Sequence, residues 1–382
     1  MKRNVGSYIT KKIPGESYRA YIPPKLPPTL AMEGLYGLLE KAILSLAKLN
    51  EISHTIANPS LFIYMYVRKE ALLSSQIEGT QSSFSDLILF EHDQKPNVAL
   101  DDVEEVCNYV AALNHGLKRL QDDDFPLCLR LLKEIHGVLL SGGRGAHQSP
   151  GEFRRSQNWI GGTRPGNALF VPPPVEQLAG CLSDLENFLH DDKLPDLIKA
   201  AIAHLQFETI HPFLDGNGRL GRLLITLMLC NSKILDTPIL YLSLYFKQNR
   251  TLYYNLLQEV REEGTWETWL EFFLEGIIVT SKQATKTMQT INKLFAEDLA
   301  KINRLGRARF TCQEVLDYLK KLPQISVPGL AEALQISTPT ARNALKHLVD
   351  LSILQEITHK QRNKVYVYKR YLNLLEEGTE AL

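Results

Sequence analysis

HPFLDGNGRLGR, residues His211–Arg222, is the stretch whose reading decides the fold. Ahead of it, Leu197–Thr209 places Ile198, Ile202 and Leu205 on one face, which predicts a packed helix. Pro212 disfavours the helical conformation in the residue before it, so that helix ends near His211. The chain then turns through Phe213–Gly218 and a second helix follows over Gly218–Cys230. Its buried side is Leu220, Leu223, Leu224, Leu227 and Met228.

A Gly-x-Gly turn that opens a helix is an anion site. The first N–H groups have no intrahelical partner, the helix end is partly positive, and glycine lets oxygens approach the backbone. Arg219 and Arg222 are three apart and share a face, which suits a di- or triphosphate. Asp215 would repel phosphate unless Mg²⁺ bridges the two. Asn217 can cap the helix or bind phosphate. His211, with an ordinary pKa of about 6.5, can take a proton from an incoming hydroxyl. Singly, each residue also fits a capped helix–turn–helix with surface arginines. The convergence of all of them in twelve residues favours a nucleoside triphosphate site.

Outward from this centre the pattern is mainly helical. The spacing predicts one long helix from Leu35 to about Ser75, with Gly79 as its stop. Further helices are expected over Val103–Leu120, Leu127–Leu140, Val175–His190, Asn249–Glu263 and Trp266–Asn292. Residues 1–30, rich in Pro, Lys and Tyr, read as an extended arm, and 92–102 as a polar link. Ser141–Pro174 is Gly- and Pro-rich and too long for an ordinary connector. Within it Asn158–Ile160 and Ala168–Val171 are strand-like, and Gly161–Gly166 separates them as the turn of a small hairpin. Residues 295–310 are charged and read as a helical linker.

Composition sets the outer bounds. The chain has 382 residues, 44% hydrophobic and 23% charged, as in an ordinary soluble protein of two or three domains. Lys+Arg and Asp+Glu both number 43, so no net charge points the whole chain toward nucleic acid or a membrane. Five scattered cysteines without a CxxC pair suggest reduced thiols and a cytoplasmic protein. No signal peptide and no membrane span are expected.

HPFLDGNGRLGR resembles the Fic family signature HPFx(D/E)GNGRxxR, matching at every defined position. The resemblance implies a mainly α fold: a Fic-type helical core with a small β-hairpin flap. It implies transfer of AMP from ATP to a Ser, Thr or Tyr hydroxyl of a target protein or of the chain itself. His211 would be the base and Asp215 the Mg²⁺ ligand. Gly216, Asn217 and Gly218 would form the anion hole, with Arg219 and Arg222 on the terminal phosphates. Leu220 and Gly221 complete the nucleotide-binding segment. Members of the kinase-like Doc branch usually carry Lys at the position of Gly218, so Gly here favours nucleotidyl transfer. Gly151–Pro174 is similar to the family's loop and flap. Ile160, Gly161 and Gly162 would hold an extended target segment by strand addition. Tyr254 falls where relatives place a nucleotide-pocket residue, although as a bare sequence feature it also fits the core.

Ser74 and Glu78 are four apart on one helix face, and Glu78 sits in the last turn. An acid there is unfavourable by up to ~1 kcal/mol unless a cation is near. SSQIEG, Ser74–Gly79, is similar to the family's inhibitory motif (S/T)xxxE(G/N). The resemblance implies that Glu78 pairs with Arg222 and keeps it from the γ-phosphate. Relatives often dimerise, so a homodimer is expected, and removal of AMP by the same site is a further expectation.

Ile325–Tyr371 reads as a winged helix: a helix over Val327–Leu334, a second over Thr338–Ser352, then a hairpin around His359–Asn363. Residues 301–382 carry 13 Lys+Arg and 8 Asp+Glu. Thr340, Arg342, Asn343 and Lys346 suit a DNA major groove, and Lys360 and Arg362 its phosphates. Protein contact is the other use of such a unit. The expected domains are residues 1–100 (arm and inhibitory helix), 101–292 (catalytic core), 293–310 (linker) and 311–382 (winged helix). The alternative function is a DNA-binding regulator whose core senses nucleotide.

Overall fold

The computed structural model describes residues 5–55, 59–91, 99–121, 124–143, 145–358 and 364–380. Helix dominates. Two helices form the centre, α7 (Asp196–Ile210) and α8 (Asn217–Asn231), joined by the loop His211–Gly216. Both are buried nearly all round, as expected for helices enclosed by others. They are surrounded by α2 (Pro59–Ile77), α4 (Leu100–Gln121), α5 (Leu129–Leu139), α6 (Val175–Leu189) and α10 (Arg250–Glu263).

The stretch 35–75 is two helices, not one. α1 (Tyr36–Thr55) is followed by α2, which begins at Pro59. A proline fits the first helical position because its missing N–H would be unpaired there anyway. α2 ends where expected, and Gly79 adopts φ +103. Sequence periodicity missed three short helices, α3 (Phe84–Glu91), α9 (Ser243–Gln248) and one at Lys369–Glu376.

The first residues are not an extended arm either. Strands β1 (Ser7–Ile13) and β2 (Glu16–Ile22) pair antiparallel around Pro14–Gly15. Tyr21 N–H donates to Val171 O at 2.9 Å, which fastens this hairpin to the loop Ser141–Pro174. The expected link at 92–102 falls mostly on 92–98, outside the described residues, and its last residues already belong to α4.

α11 (Trp266–Ile302) runs ten residues past its expected end at Asn292. Its apolar face stays covered through Leu294, Phe295 and Ile302, so the charged stretch after 292 begins as helix. At 37 residues it extends about 55 Å. α1 packs along it, and it leads into residues 309–380. These are α12 (Arg309–Lys321), β3 (Gln324–Ser326), α13 (Val327–Ala333), α14 (Thr338–Asp350), β4 (Gln355–Glu356), β5 (Val365–Val367) and α15 (Lys369–Glu376). The strands form one antiparallel sheet in the order β3-β5-β4. Ser337 caps α14, accepting from Thr340 N at 3.2 Å. Thr340, Arg342, Asn343 and Lys346 are all exposed on α14. Lys360 and Arg362 lie outside the described residues. No helix among the described residues is long and apolar enough to cross a membrane. The cysteines form no disulfide among the described residues.

Candidate functional site

The loop between α7 and α8 is bracketed by two left-handed residues. His211 closes α7 with φ 49 and ψ 60, and Gly216 opens α8 with φ 74. Pro212 disfavours the helical alternative for His211. A left-handed non-glycine residue costs roughly 1–3 kcal/mol and persists only where its surroundings fix it. Here they do. The His211 carbonyl accepts from Arg154 Nε at 3.0 Å and from Asn158 Nδ2 at 3.1 Å. Arg154 N–H donates to Pro212 O at 2.9 Å, and Asn158 Nδ2 also donates to Phe213 O at 2.8 Å.

His136, on α5, fixes the far side. Gly151 N–H donates to its Nδ1 at 2.8 Å, so its Nε2 carries the proton and donates to Asp215 O at 3.0 Å. The ring stacks on Phe213 with centroids 3.7 Å apart. Burial chiefly, with Arg219, pushes its pKa down to about 4 against the pull of Asp215, so it stays neutral.

Asn217 is not free to bind phosphate through its side chain. Its Oδ1 accepts from Phe213 N and its Nδ2 donates to Phe213 O, both at 2.9 Å. What it offers the cleft is backbone. α8 starts without a side-chain cap, so its first N–H groups have no intrahelical partner.

These residues surround a cleft of about 280 Å³, lined by Glu78, Glu105, His211, Leu214, Asp215, Gly216, Asn217, Gly218 and Arg219. That is small for a ligand site, which usually spans roughly 300–1,000 Å³. Glu78 fills part of the space. A Cβ at Gly218 would collide with Glu78 Oε1 and come within 3.0 Å of Arg222 Nη1. Glycine at this position is what lets the carboxylate lie against the helix start.

Both arginines are held by carboxylates. Arg222, 1% exposed, donates from Nη2 to Glu78 Oε1 at 2.7 Å and to Ser74 O at 2.9 Å. Its Nε donates to Ser74 Oγ at 2.9 Å. Burial alone would raise the Glu78 pKa, but Arg222, with Arg219 and His211, brings it below the ordinary value. Arg219 Nη1 lies 3.0 Å from Glu105 Oε2, and its Nη2 lies 3.7 Å from Asp215 Oδ1. Asp215 Oδ1 also accepts from Gly216 N at 2.6 Å, and the carboxylate is 43% exposed toward the cleft.

Glu208 lies one helical turn before His211. Its Oε2 is 4.0 Å from His211 Nδ1, and both His211 Nδ1 and Glu208 Oε1 are buried without a hydrogen-bond partner. Burial chiefly, with Glu78 adding and Arg222 and Arg261 opposing, raises Glu208 to about 7. Burial, then Arg261 and Arg154, lower His211 to about 4 against the pull of Glu208 and Glu78. The imidazole is therefore neutral near pH 7.

Leu220 and Gly221 do not reach the cleft. Leu220 is fully buried, and Gly221 abuts Phe207, His204 and Glu208 on α7. Tyr254 is 39% exposed and edges toward Arg250, while Tyr253 is core, its hydroxyl 2.9 Å from His204 Nε2. The flap is a single bridge between Ile160 and Phe170 rather than a pair of strands. Ile160 N donates to Phe170 O at 2.8 Å, and Gly161 and Gly162 take φ 69 and 67 to form the turn. Arg261 lies over the Phe170 ring at 3.9 Å and donates to Thr209 Oγ1 on α7 at 3.1 Å, tying the flap to α7. Sequence reasoning missed Glu105, His136, Arg154, Asn158 and Glu208 as parts of the site. Arg154 and Asn158 carried a signal, since both lie in the Gly-rich loop already singled out.

The structure is a fold of enclosed helices with an uncapped helix start set between an imidazole, a carboxylate and two arginines. Residues 36–118 match the Fic/DOC family N-terminal region and residues 126–229 match the Fic/DOC family. The chain therefore carries a Fic/DOC N-terminal region followed by a Fic/DOC region. A protein adenylyltransferase Fic of Culex quinquefasciatus is 31% identical over 183 residues, 46% of this chain and 33% of that protein. The chain thus spans about a third of the length of that curated relative. The crystal structure of a Fic family protein from Desulfovibrio desulfuricans G20 superposes with TM-score 0.56 at 21% identity, covering 85% of this chain and 95% of that one. A Fic domain containing signaling protein from Bacteroides thetaiotaomicron VPI-5482 gives TM-score 0.52 at 20% identity, over 65% and 97%.

Proposed function

We propose that this chain is a protein adenylyltransferase held in an off state by Glu78. One observation carries the reading. Neutral His211 and the Asp215 carboxylate share one cleft with the uncapped start of α8. On this reading the target hydroxyl oxygen attacks the α-phosphorus of ATP. His211 takes the hydroxyl proton, the bond from that phosphorus to the bridging oxygen breaks, and pyrophosphate leaves. Glu208 Oε2, 4.0 Å from Nδ1, is placed to accept from Nδ1 once the two close to hydrogen-bond distance, which would leave Nε2 as the acceptor and steady the imidazolium that forms.

Asp215 fits Mg²⁺. It is one carboxylate, half-exposed in the cleft, and no group of three or more His, Cys, Asp or Glu stands ready to cage a metal among the described residues. Such a site suits an ion that completes its shell with substrate phosphates and water. Bound there, Mg²⁺ would neutralise phosphate charge. Gly216, Asn217 and Gly218 offer backbone N–H groups to the phosphates. Arg219 and Arg222 would serve the terminal ones once released from Glu105 and Glu78. Ile160, Gly161 and Gly162 of the flap would align a target segment by strand addition.

Labelling tests this. With Glu78→Gly, label from α-phosphate-labelled ATP is expected on protein, and label from γ-phosphate-labelled ATP is not. Label from the γ position would overturn nucleotidyl transfer in favour of phosphorylation.

A second reading concerns residues 311–382. The order α12–β3–α13–α14–β4–β5, with Thr340, Arg342, Asn343 and Lys346 exposed on α14, supports reading it as a winged helix with a polar face on α14. We assign it DNA binding, with protein contact as the outcome if DNA fails.

A further inference from the structure

The last turn of α2 is gripped from two sides. One face carries Ser74 and, just past the helix end, Glu78, both on Arg222. The opposite face carries Gln76, fully buried, and this side is closed by the segment that follows α15. Gln76 Nε2 donates to Thr379 O at 2.8 Å and to Ser82 O at 2.9 Å. Gln76 Oε1 accepts from Lys247 Nζ of α9 at 2.7 Å, and Lys247 reaches on to Glu380 O. Two turns earlier, Lys69 Nζ donates to Glu377 O at 2.6 Å. Ser85 of α3 bonds the Glu376 carboxylate. Thr379 itself is buried.

We infer that Glu376–Glu380 is a latch that holds the Glu78 brake closed and couples it to the C-terminal unit. Lys69 and Lys247 are buried ammonium groups held largely by backbone carbonyls of this segment. Withdrawing the segment strips partners from both lysines and from Gln76. Buried groups left unpaired are costly, so the end of α2 must loosen or rehydrate, and Ser74 and Glu78 move with it. The link to the C-terminal unit is short. α15 leads directly into the latch, and its start is anchored on α11, where Asp298 accepts from Tyr368 Oη and Arg370 Nη2, each at 2.7 Å. A ligand that shifts α15 therefore pulls the latch, which gives the unit at 311–380 a means of setting the activity of the cleft.

This rests on Glu78 acting as a brake, and the test separates the two. Gly378 has φ +79, and a Cβ there would lie 2.8 Å from Leu244 Cδ1. Gly378→Val in the full chain therefore dislodges the latch without touching the cleft. Expected are faster hydrogen exchange at the amides of 74–80 and AMP transfer raised about fivefold or more, the scale of an ordinary coupling. Adding Gly378→Val to Glu78→Gly should raise transfer no further. Lys247→Met should act like Gly378→Val, with a thermal transition that shows the chain still folded. If Glu78→Gly activates and neither latch variant does, the latch is wrong. If Glu78→Gly is inert, the brake reading falls, and unchanged exchange at 74–80 in Gly378→Val would sink the latch as well.

Discussion

Arg222 Nη2 and Glu78 Oε1 lie 2.7 Å apart, and they join the turn just past α2 to the first turns of α8 across 144 residues of sequence. The pair is lopsided. Arg222 is 1% exposed, whereas Glu78 is 38% exposed. Cutting a fully buried pair costs about 3–5 kcal/mol, but a pair this open to water is worth nearer ~1 kcal/mol. Glu78 can therefore be removed without unfolding the protein, and Arg222 then keeps Ser74 as a partner. Glu78→Gly is expected to lower stability by roughly 1 kcal/mol in urea denaturation. A loss several times larger would mark the pair as a structural strut rather than a brake.

Glu208→Gln tests the support behind His211. The carboxyl is buried and raised to about 7, so a neutral isostere should leave the melting temperature unchanged or slightly higher. In the Glu78→Gly background kcat should fall by about tenfold or more while KM for ATP holds. A variant with full kcat would remove Glu208 from the chemistry.

Three imidazoles should titrate abnormally. Burial, the largest cause in each, lowers His136 and His211 to about 4 and His204 to about 3. In the unfolded chain each takes a proton near pH 6.5. The native state binds fewer protons between these values, so their contribution is fully present above about pH 6.5 and is lost as pH falls through that value toward 4. The slope is up to ~1.4 kcal/mol per pH unit for each imidazole. Imidazole carbon–proton NMR spectra should show three neutral rings from pH 8 to 5. A midpoint near 6.5 for His211 would contradict the geometry given for it.

Asn217→Ala should loosen the loop. It takes the Asn217 partner from Phe213 N–H, at a cost of about 1–3 kcal/mol, while Phe213 O keeps Asn158 Nδ2 at 2.8 Å. Denaturation should show a loss of at least ~1 kcal/mol. A loss below that would mean water replaces the amide and that the loop is less rigid than described.

The contiguous part of the site was legible in the sequence because one turn and two helix ends hold it. His211, Asp215, Gly216 and Gly218 need only local geometry to converge. Glu105 and His136 come from α4 and α5, and nothing in their own neighbourhoods marks them. Asn217 was placed in the right loop, but its amide serves Phe213, and only tertiary contacts reveal that. The hairpin Ser7–Ile22 carried a usable signal, Pro14–Gly15 between strand-like runs. Its lysines and prolines mask the alternation of a strand pair. The latch could not be read from sequence at all, since it acts through backbone carbonyls.

The C-terminal unit makes a separate, salt-dependent claim. Duplex DNA should shift the protein in a gel at low salt and release it as salt rises, and Arg342→Ala should weaken the shift. No shift at low salt would leave protein contact as the use of α14.

Intact-mass spectrometry after incubation with Mg·ATP tests the braked-transferase reading most directly. Wild type, Glu78→Gly, and Glu78→Gly with His211→Ala are compared. Glu78→Gly should gain the mass of one AMP per modified site, wild type far less, and the His211 double variant none. Equal gain in wild type and Glu78→Gly would contradict the brake, and gain in the double variant would remove His211 as the base.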